Sequence, residues 1–467
     1  MPAMWSPADR WATEHGMSID TPIILFGFLM LIAPLAAILY NYLVVGDDLI
    51  TLRHLFLLGC MKFFGVAALT TGVTQLYRGN HPFSDVLLLF AGTAIFFITF
   101  WWSYNRWNLP QRIAEKRWRR SPSPNVGAIL FLGGFGLLLG LLASAVPVDL
   151  PIIGQITNVL GKLMPAASVA LFLFSWFRNP INLIYLVATG FAFAMAVFVA
   201  LFGAGRHPLF AALIAVPIAW YWAKWRYQSP TVTLGRIGGL GVGAIVVILA
   251  YSGFRHDYMG EADSGIAMDR IKQLLRFEID TGGDAESALR EDAITVSLLC
   301  IEEFHRNGDP EYFHTLFYVL GNPIPRQWWP EKPQAVGESL PESLGEFSDG
   351  YVNWGPGIVG NAFHDGGLWM AAIYGLLVGG VFRIFDDILR RQPLNPWPIA
   401  MLAAMSPKVV AYSRGDIAVY TVELLGLTIL FVVILKVTSL VFGSTDEETF
   451  HVEGEDDWDD ADLMIEE

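Results

Sequence analysis

The sequence predicts an all-α integral membrane protein, a polytopic bundle of about 11 transmembrane helices with one large extracytoplasmic helical loop. Three observations predict it. First, 54% of the 467 residues are hydrophobic and 16% are charged, whereas a water-soluble domain carries about a quarter of its residues as charges. Second, the mean hydropathy is +0.46, and apolar runs close to the ~20 residues needed to cross hydrocarbon recur along the chain. Third, one long stretch, 255–360, lacks such a run, and a connection of that length is seldom idle chain.

The runs cover Pro22 to Val44, His54 to Tyr77, Val86 to Trp102, Val126 to Val146, Ile156 to Trp176 and Ile181 to Phe202. Leu209 to Ala223, Ile237 to Phe254, Leu368 to Phe385, Pro398 to Tyr412 and Ile417 to Phe442 follow. Leu209 to Ala223 and Pro398 to Tyr412 are short enough to be tilted, re-entrant or broken helices. The division expected is therefore an N-terminal bundle at 1–254, the large loop at 255–367, C-terminal helices at 368–442 and a tail at 443–467. Asp446 to Glu467 holds twelve acidic residues and no Lys or Arg, and without them the net charge falls from −14 to −2. The tail reads as a solvated, disordered cytoplasmic segment. The stretch before Pro22 mixes both charge signs, so no cleavable signal peptide is expected. Cys60 falls in a run and Cys300 in the loop, which offers no disulfide framework.

Basic residues of short loops stay cytoplasmic, and Arg106, Arg112, Lys116, Arg117, Arg119 and Arg120 share one loop. Alternation from there puts Lys224, Arg226 and Arg236 inside, with Arg383, Arg390 and Arg391. The long loop then faces outward.

Within that loop, Ile266, Ile271, Leu274 and Leu275 recur at helical spacing, as do Leu289, Ala293, Val296 and Cys300 behind a potential cap at Asp284. Both stretches read as amphipathic helices on the membrane surface. A third helix is expected from Glu311 to Leu320. After it comes Pro323-Ile324-Pro325-Arg326-Gln327-Trp328-Trp329-Pro330-Glu331-Lys332-Pro333, whose prolines stop helix and sheet. Its tryptophans favour the membrane interface. The strap presents Arg326 and Lys332 at headgroup depth, where a guanidinium fork binds phosphate oxygens. Plain interfacial anchoring would use the same residues. Gly355, Gly357, Gly360, Gly366 and Gly367 follow, with Trp354, Asn361, His364 and Asp365. Glycines permit close backbone approach, for a pocket or for ordinary helix packing, as at Gly375, Gly379 and Gly380. His364 beside Asp365 is a candidate proton acceptor, because a carboxylate stabilises the imidazolium.

The aromatic helix, the Pro-Arg-x-x-Trp-Pro-x-Lys-Pro strap and the glycine-rich approach to a late transmembrane helix, over Tyr312 to Gly380, resemble the oligosaccharide repeat unit polymerases. These are also called O-antigen or surface-polysaccharide polymerases. The resemblance implies a metal-independent, lipid-linked glycosyltransferase of a bacterial cytoplasmic (inner) membrane, working on its outer face without a cofactor. In that family a polyprenyl-diphosphate-linked glycan is the donor, and a hydroxyl of a second lipid-linked oligosaccharide repeat unit attacks its anomeric carbon. Such chemistry needs cations for the diphosphate and a base for the hydroxyl proton. Arg326 and Lys332 are the first cations, with Arg290, Arg255 and Arg414 behind them; Arg414 lies in the external turn Ser413 to Asp416. His364 is the first candidate base, then Asp365, Glu338 and Glu303. Expected partners are the repeat units and membrane lipids, with flippase and chain-length regulator proteins, and no nucleic acid.

The sequence lacks a phosphate-binding glycine loop, paired Cys or His metal spacing and a nucleophile elbow. A metal reading would draw on loop carboxylates with His305 and His314. The competing functions are an O-antigen ligase, which shares the donor, a lipid-linked glycan transporter or flippase, and a membrane scaffold whose tail recruits partners. A transporter would show internal repeats and charges within spans. No repeat is evident, while Lys62, Lys408 and Glu423 are charges of that kind; Lys408 has the option of snorkelling.

Overall fold

The computed structural model describes residues 19–74, 81–117, 120–145, 163–202, 207–240, 293–344 apart from 325 and 327, and 354–446. The run Ile237 to Phe254, the loop helices before residue 293 and the tail beyond residue 446 lie largely or wholly outside these residues.

The chain is built from helices. Thr51 caps α2 (Leu52–Cys60), its hydroxyl accepting the His54 amide at 3.2 Å, after α1 (Asp20–Leu43). A π-helical turn, Met61–Val66, carries α2 into α3 (Ala67–Thr74). Then come α4 (Phe83–Arg106), α5 (Asn108–Arg117), α6 (Val126–Ala145), α7 (Met164–Arg178), α8 (Leu183–Phe202) and α9 (His207–Ala223). The loop contributes α10 (Ala293–Cys300), a π-helical segment Ile301–Asn307, α11 (His314–Gly321), α12 (Val336–Ser343) and α13 (Gly357–Asp365). The chain closes with α14 (Leu368–Arg391), α15 (Pro396–Ala411) and α16 (Ile417–Phe442).

Among the described residues, five helices are long and apolar enough to cross a membrane: Asp20–Leu43, Leu52–Val73, Phe83–Arg106, Leu368–Arg391 and Ile417–Phe442. Val126–Leu142, Met164–Arg178, Leu183–Val199 and Leu209–Ala223 are apolar but shorter. Leu25, Phe28, Leu29 and Ile32 on α1 and Ile429, Val433 and Leu440 on α16 point out of the fold. Stripes of that size are unsustainable in water and suit lipid.

Inside, one apolar core runs from the first helices to the last. Phe56 of α2 meets Phe100 of α4 at 5.4 Å and Phe382 of α14 at 5.6 Å between ring centroids. The short run at Pro398 to Tyr412 is α15, started by Asn395 and Pro396 and buried along nearly its whole length. It is a central post with no lipid face. Lys408 on it does not snorkel: its ammonium pairs with Glu423 of α16 at 2.5 Å.

One expectation about the loop and one about the tail change. Helix α10 is packed on α13 with almost every residue buried, and does not lie as an amphipathic helix at the surface. Its apolar spacing reflects burial on all sides. Two short strands also form, β1 (Arg120–Pro122) and β2 (Ser444–Asp446), antiparallel with Arg120 opposite Asp446.

Ion pairs sort the connections into two ends. At one end Arg53 and Arg390 reach Asp47 at 2.7 and 3.3 Å, Arg226 reaches Asp48 at 2.6 Å, and Arg391 reaches Glu115 at 2.8 Å. At the other, Arg306 meets Asp85 at 2.9 Å, His81 meets Glu302 at 3.3 Å, and Asp416 accepts the Gly337 amide at 2.9 Å.

The most extensive helix pair is α14 on α4. A Cβ on Gly379 would stand 2.5 Å from the Phe100 carbonyl oxygen, and one on Gly375 would meet Thr99 and the Phe96 carbonyl. Small residues permit this approach. Gly379→Leu is expected to separate the pair and cost at least 1–3 kcal/mol, about the range for overpacking, read as an earlier thermal unfolding midpoint in detergent; an unchanged midpoint would contradict the packing.

Candidate functional site

The region around His364 is set by a glycine break. Helix α13 stops at Asp365 because Gly366 and Gly367 adopt φ of +145° and +83°, which side chains rarely tolerate. The Gly367 amide returns to the Ala362 carbonyl at 2.7 Å. His364 and Asp365 are thereby held at a helix end, both fully buried.

Asp365 accepts three bonds. His364 Nδ1 donates to Oδ1 at 2.7 Å, the Thr315 amide donates to Oδ2 at 2.8 Å, and the Tyr374 hydroxyl donates to the same Oδ2. A carboxylate can only accept, so His364 carries a proton on Nδ1, and in the neutral ring Nε2 is then a lone pair. That Nε2 is buried and has no hydrogen-bond partner among the described residues. Glu311 Oε2 lies 3.9 Å from it.

Glu311 reaches this position through an unusual turn. The expected helix from Glu311 begins instead at His314, because Phe313 has a left-handed φ of 62°. For a bulky residue that conformation costs about 1–3 kcal/mol and survives only where neighbours enforce it. Here the Glu311 amide donates to the His364 carbonyl at 2.9 Å and the Phe313 ring packs on Trp369. His314, one residue on, places Nδ1 2.6 Å from Glu311 Oε2 and Nε2 2.7 Å from the Gln334 carbonyl. Its ring stands 4.7 Å from that of His364, nearly at right angles. Glu311, His314 and His364 bring their ligand atoms within 4.8 Å of one another. Glu311, at 56% exposure, is the open side of the cluster.

The other predicted residues fall around it. Arg326 is exposed, and its Nη1 donates to the Lys332 carbonyl at 3.1 Å. Lys332 turns inward: its ammonium donates to the Asn322 and Ile324 carbonyls at 2.8 and 3.2 Å, closing the strap on itself. Burial, and then the neighbouring Arg326, lower the Lys332 pKa. Trp329 packs on Gly321, and His314 on Gln334 fastens the far end of the strap. Arg414 lies in a turn that packs against Gly355, and the Ser413 carbonyl accepts the Ile358 amide at 3.4 Å. Asp416 of that turn is buried, which raises its pKa against the pull of the Gly337 and Ala418 amides. Glu338 is half-buried in the first turn of α12, where a carboxylate suits the helix dipole. Arg255 and Arg290 lie outside the described residues. His305 packs on Phe363 at 5.2 Å and does not join Glu311 and His314.

Sequence reasoning did not single out Glu311, Tyr374 or Thr315. The signal for Glu311 is its spacing of three from His314; nothing in sequence ties either to His364. No protein-family model, curated protein or solved structure matches this chain.

Asp365→Ala would leave the Thr315 amide and Tyr374 hydroxyl buried without an acceptor, at a cost of about 1–3 kcal/mol each. Thermal unfolding in detergent is expected to fall well below that of Glu338→Ala; equal midpoints would remove Asp365 from its organising place.

Proposed function

We propose that this chain is a polytopic membrane glycosyltransferase that polymerises polyprenyl-diphosphate-linked oligosaccharide repeat units on the outer face of a bacterial cytoplasmic membrane. The observation that supports it best is the bond from His364 Nδ1 to Asp365, which leaves Nε2 without a hydrogen-bond partner among the described residues, 3.9 Å from the part-exposed Glu311, while His314 of the same cluster is bonded to Gln334 at the end of the strap that carries Arg326.

In this reading the acceptor hydroxyl oxygen forms a bond to the anomeric carbon of the donor as the bond from that carbon to the diphosphate oxygen breaks. The hydroxyl proton passes to His364 Nε2, and Asp365 stabilises the imidazolium. Polyprenyl diphosphate leaves with its electron pair, its charge met by the Arg326 guanidinium. Lys332 acts mainly by holding the strap, since its ammonium is committed to backbone carbonyls. Arg414 is the second cation of the same end.

The two-ended sorting of ion pairs supports the orientation. The connections holding Asp47, Arg226, Arg390 and Glu115 belong to the cytoplasm, and the loop holding Glu302, Glu311 and Gly337 to the exterior. Eleven crossings satisfy that alternation, the shorter apolar helices crossing with help from local thinning of the bilayer.

Purified protein given lipid-linked repeat units is expected to yield a ladder of lengthening products. His364→Gln should abolish the ladder, Arg326→Ala should reduce it by roughly a hundred- to a thousandfold as lost electrostatic stabilisation does, and Glu338→Gln should leave it; ladders persisting in His364→Gln would sink the assignment. Orientation is open to a separate check, since Cys60 and Cys300 are buried and give little background. Tyr312→Cys should react with an impermeant maleimide in intact spheroplasts and Arg391→Cys only after lysis. The reverse pattern would invert the topology.

A further inference from the structure

We propose that Glu311, His314 and His364 form a binding site for a divalent first-row transition-metal cation of the zinc, cobalt or ferrous class. The site stands on its own geometry, whatever reaction the protein carries.

The protonation pattern leads there. The Gln334 carbonyl can only accept, so His314 carries a proton on Nε2, and in the neutral ring the lone pair of Nδ1 faces Glu311. His364 donates through Nδ1 to Asp365, which leaves the lone pair of Nε2 facing the same carboxylate. Two imidazole lone pairs and a carboxylate oxygen then converge with no donor among them. At 2.6 Å, His314 Nδ1 and Glu311 Oε2 are two acceptors in contact, which requires a positive particle, either a proton on His314 or a metal ion. The buried, unpartnered Nε2 of His364 separates these options, because a proton shared between His314 and Glu311 does nothing for it. A cation held by all three atoms satisfies every group.

The dimensions suit such an ion. Ligand atoms around a tetrahedral cation with bonds of about 2.1 Å lie roughly 3.4 Å apart, and the two separations from Glu311 Oε2, 2.6 and 3.9 Å, bracket that value. Each histidine has the remote-nitrogen acceptor typical of metal-ligating imidazoles: a carboxylate for His364 and a backbone carbonyl for His314. Nitrogen ligands select a transition metal over magnesium or calcium. Three protein ligands leave a coordination position open on the exposed side of Glu311, the arrangement of a reactive site. The strained Phe313 turn sets Glu311 and His314 side by side. A proton and a metal ion compete for His364 Nε2, so in the metal-bound form the acceptor hydroxyl would be activated at the cation instead of by His364.

The test uses the full chain, purified in detergent without a polyhistidine tag, stripped with chelator and titrated with Co²⁺. Wild type is expected to bind one equivalent with the visible absorption of nitrogen-ligated cobalt, displaced by Zn²⁺. Glu311→Gln and His314→Asn, which alter the more exposed ligands, should bind at least tenfold more weakly while keeping the wild-type circular dichroism and elution volume. His305→Asn should bind as wild type does. Wild-type protein that binds Co²⁺ and Zn²⁺ no more tightly than Glu311→Gln would overturn the site and leave His314 an imidazolium; equal tight binding by all four would place the ion elsewhere and overturn it too. Because metal binding is the readout, its failure is distinct from loss of the product ladder.

Discussion

The carboxylate of Asp365 holds the end of this protein that carries the long loop together. A fully buried anion is tolerated only when its oxygens are satisfied, and those of Asp365 are met by His364, by Tyr374 on α14 and by the backbone of α11. The same three bonds dock the loop onto the bundle and choose the tautomer of His364. Remove the glycine break and the carboxylate would point along a continuous helix, out of reach of Thr315.

Buried aspartates serve this purpose at two more places. Asp386 of α14 accepts the amides of Leu52 and Arg53 at 2.8 and 3.2 Å and the Tyr104 hydroxyl at 2.7 Å, tying three helices at the opposite end. Asp416 accepts the amides of Gly337 and Ala418, joining α12 to the last helix. In each case a side chain at or near a helix end satisfies backbone donors of a segment far away in sequence. Lipid drives no helix together by the hydrophobic effect, so such polar ties, with the close glycine contacts of α14 on α4, supply specificity that apolar burial lacks.

Much of the scaffold was legible in the sequence because hydropathy reports the solvent around a segment, and the break between scaffold and loop was legible for the same reason. Hydropathy does not distinguish lipid from protein interior: α15 is buried along nearly its whole length, and α10 is buried on all sides although its spacing suggested a surface helix. At the site, His364, Asp365 and the strap were visible as chemistry-bearing residues. Their division of labour was not. Lys332 looked like a second free cation, but its ammonium is spent on the carbonyls of Asn322 and Ile324, which only the folded strap brings near. Glu311 was assigned to a helix, and the left-handed Phe313 that removes it from that helix follows from tertiary contacts with α13 and Trp369.

Both the base and the cation site require a lone pair at His364 Nε2. Nitrogen-15 magnetic resonance of histidine-labelled, metal-free protein reads it directly, with His364 assigned by its loss in His364→Gln. A neutral His364 protonated at Nδ1 and bare at Nε2 is the expected result; a proton on Nε2 would contradict both roles.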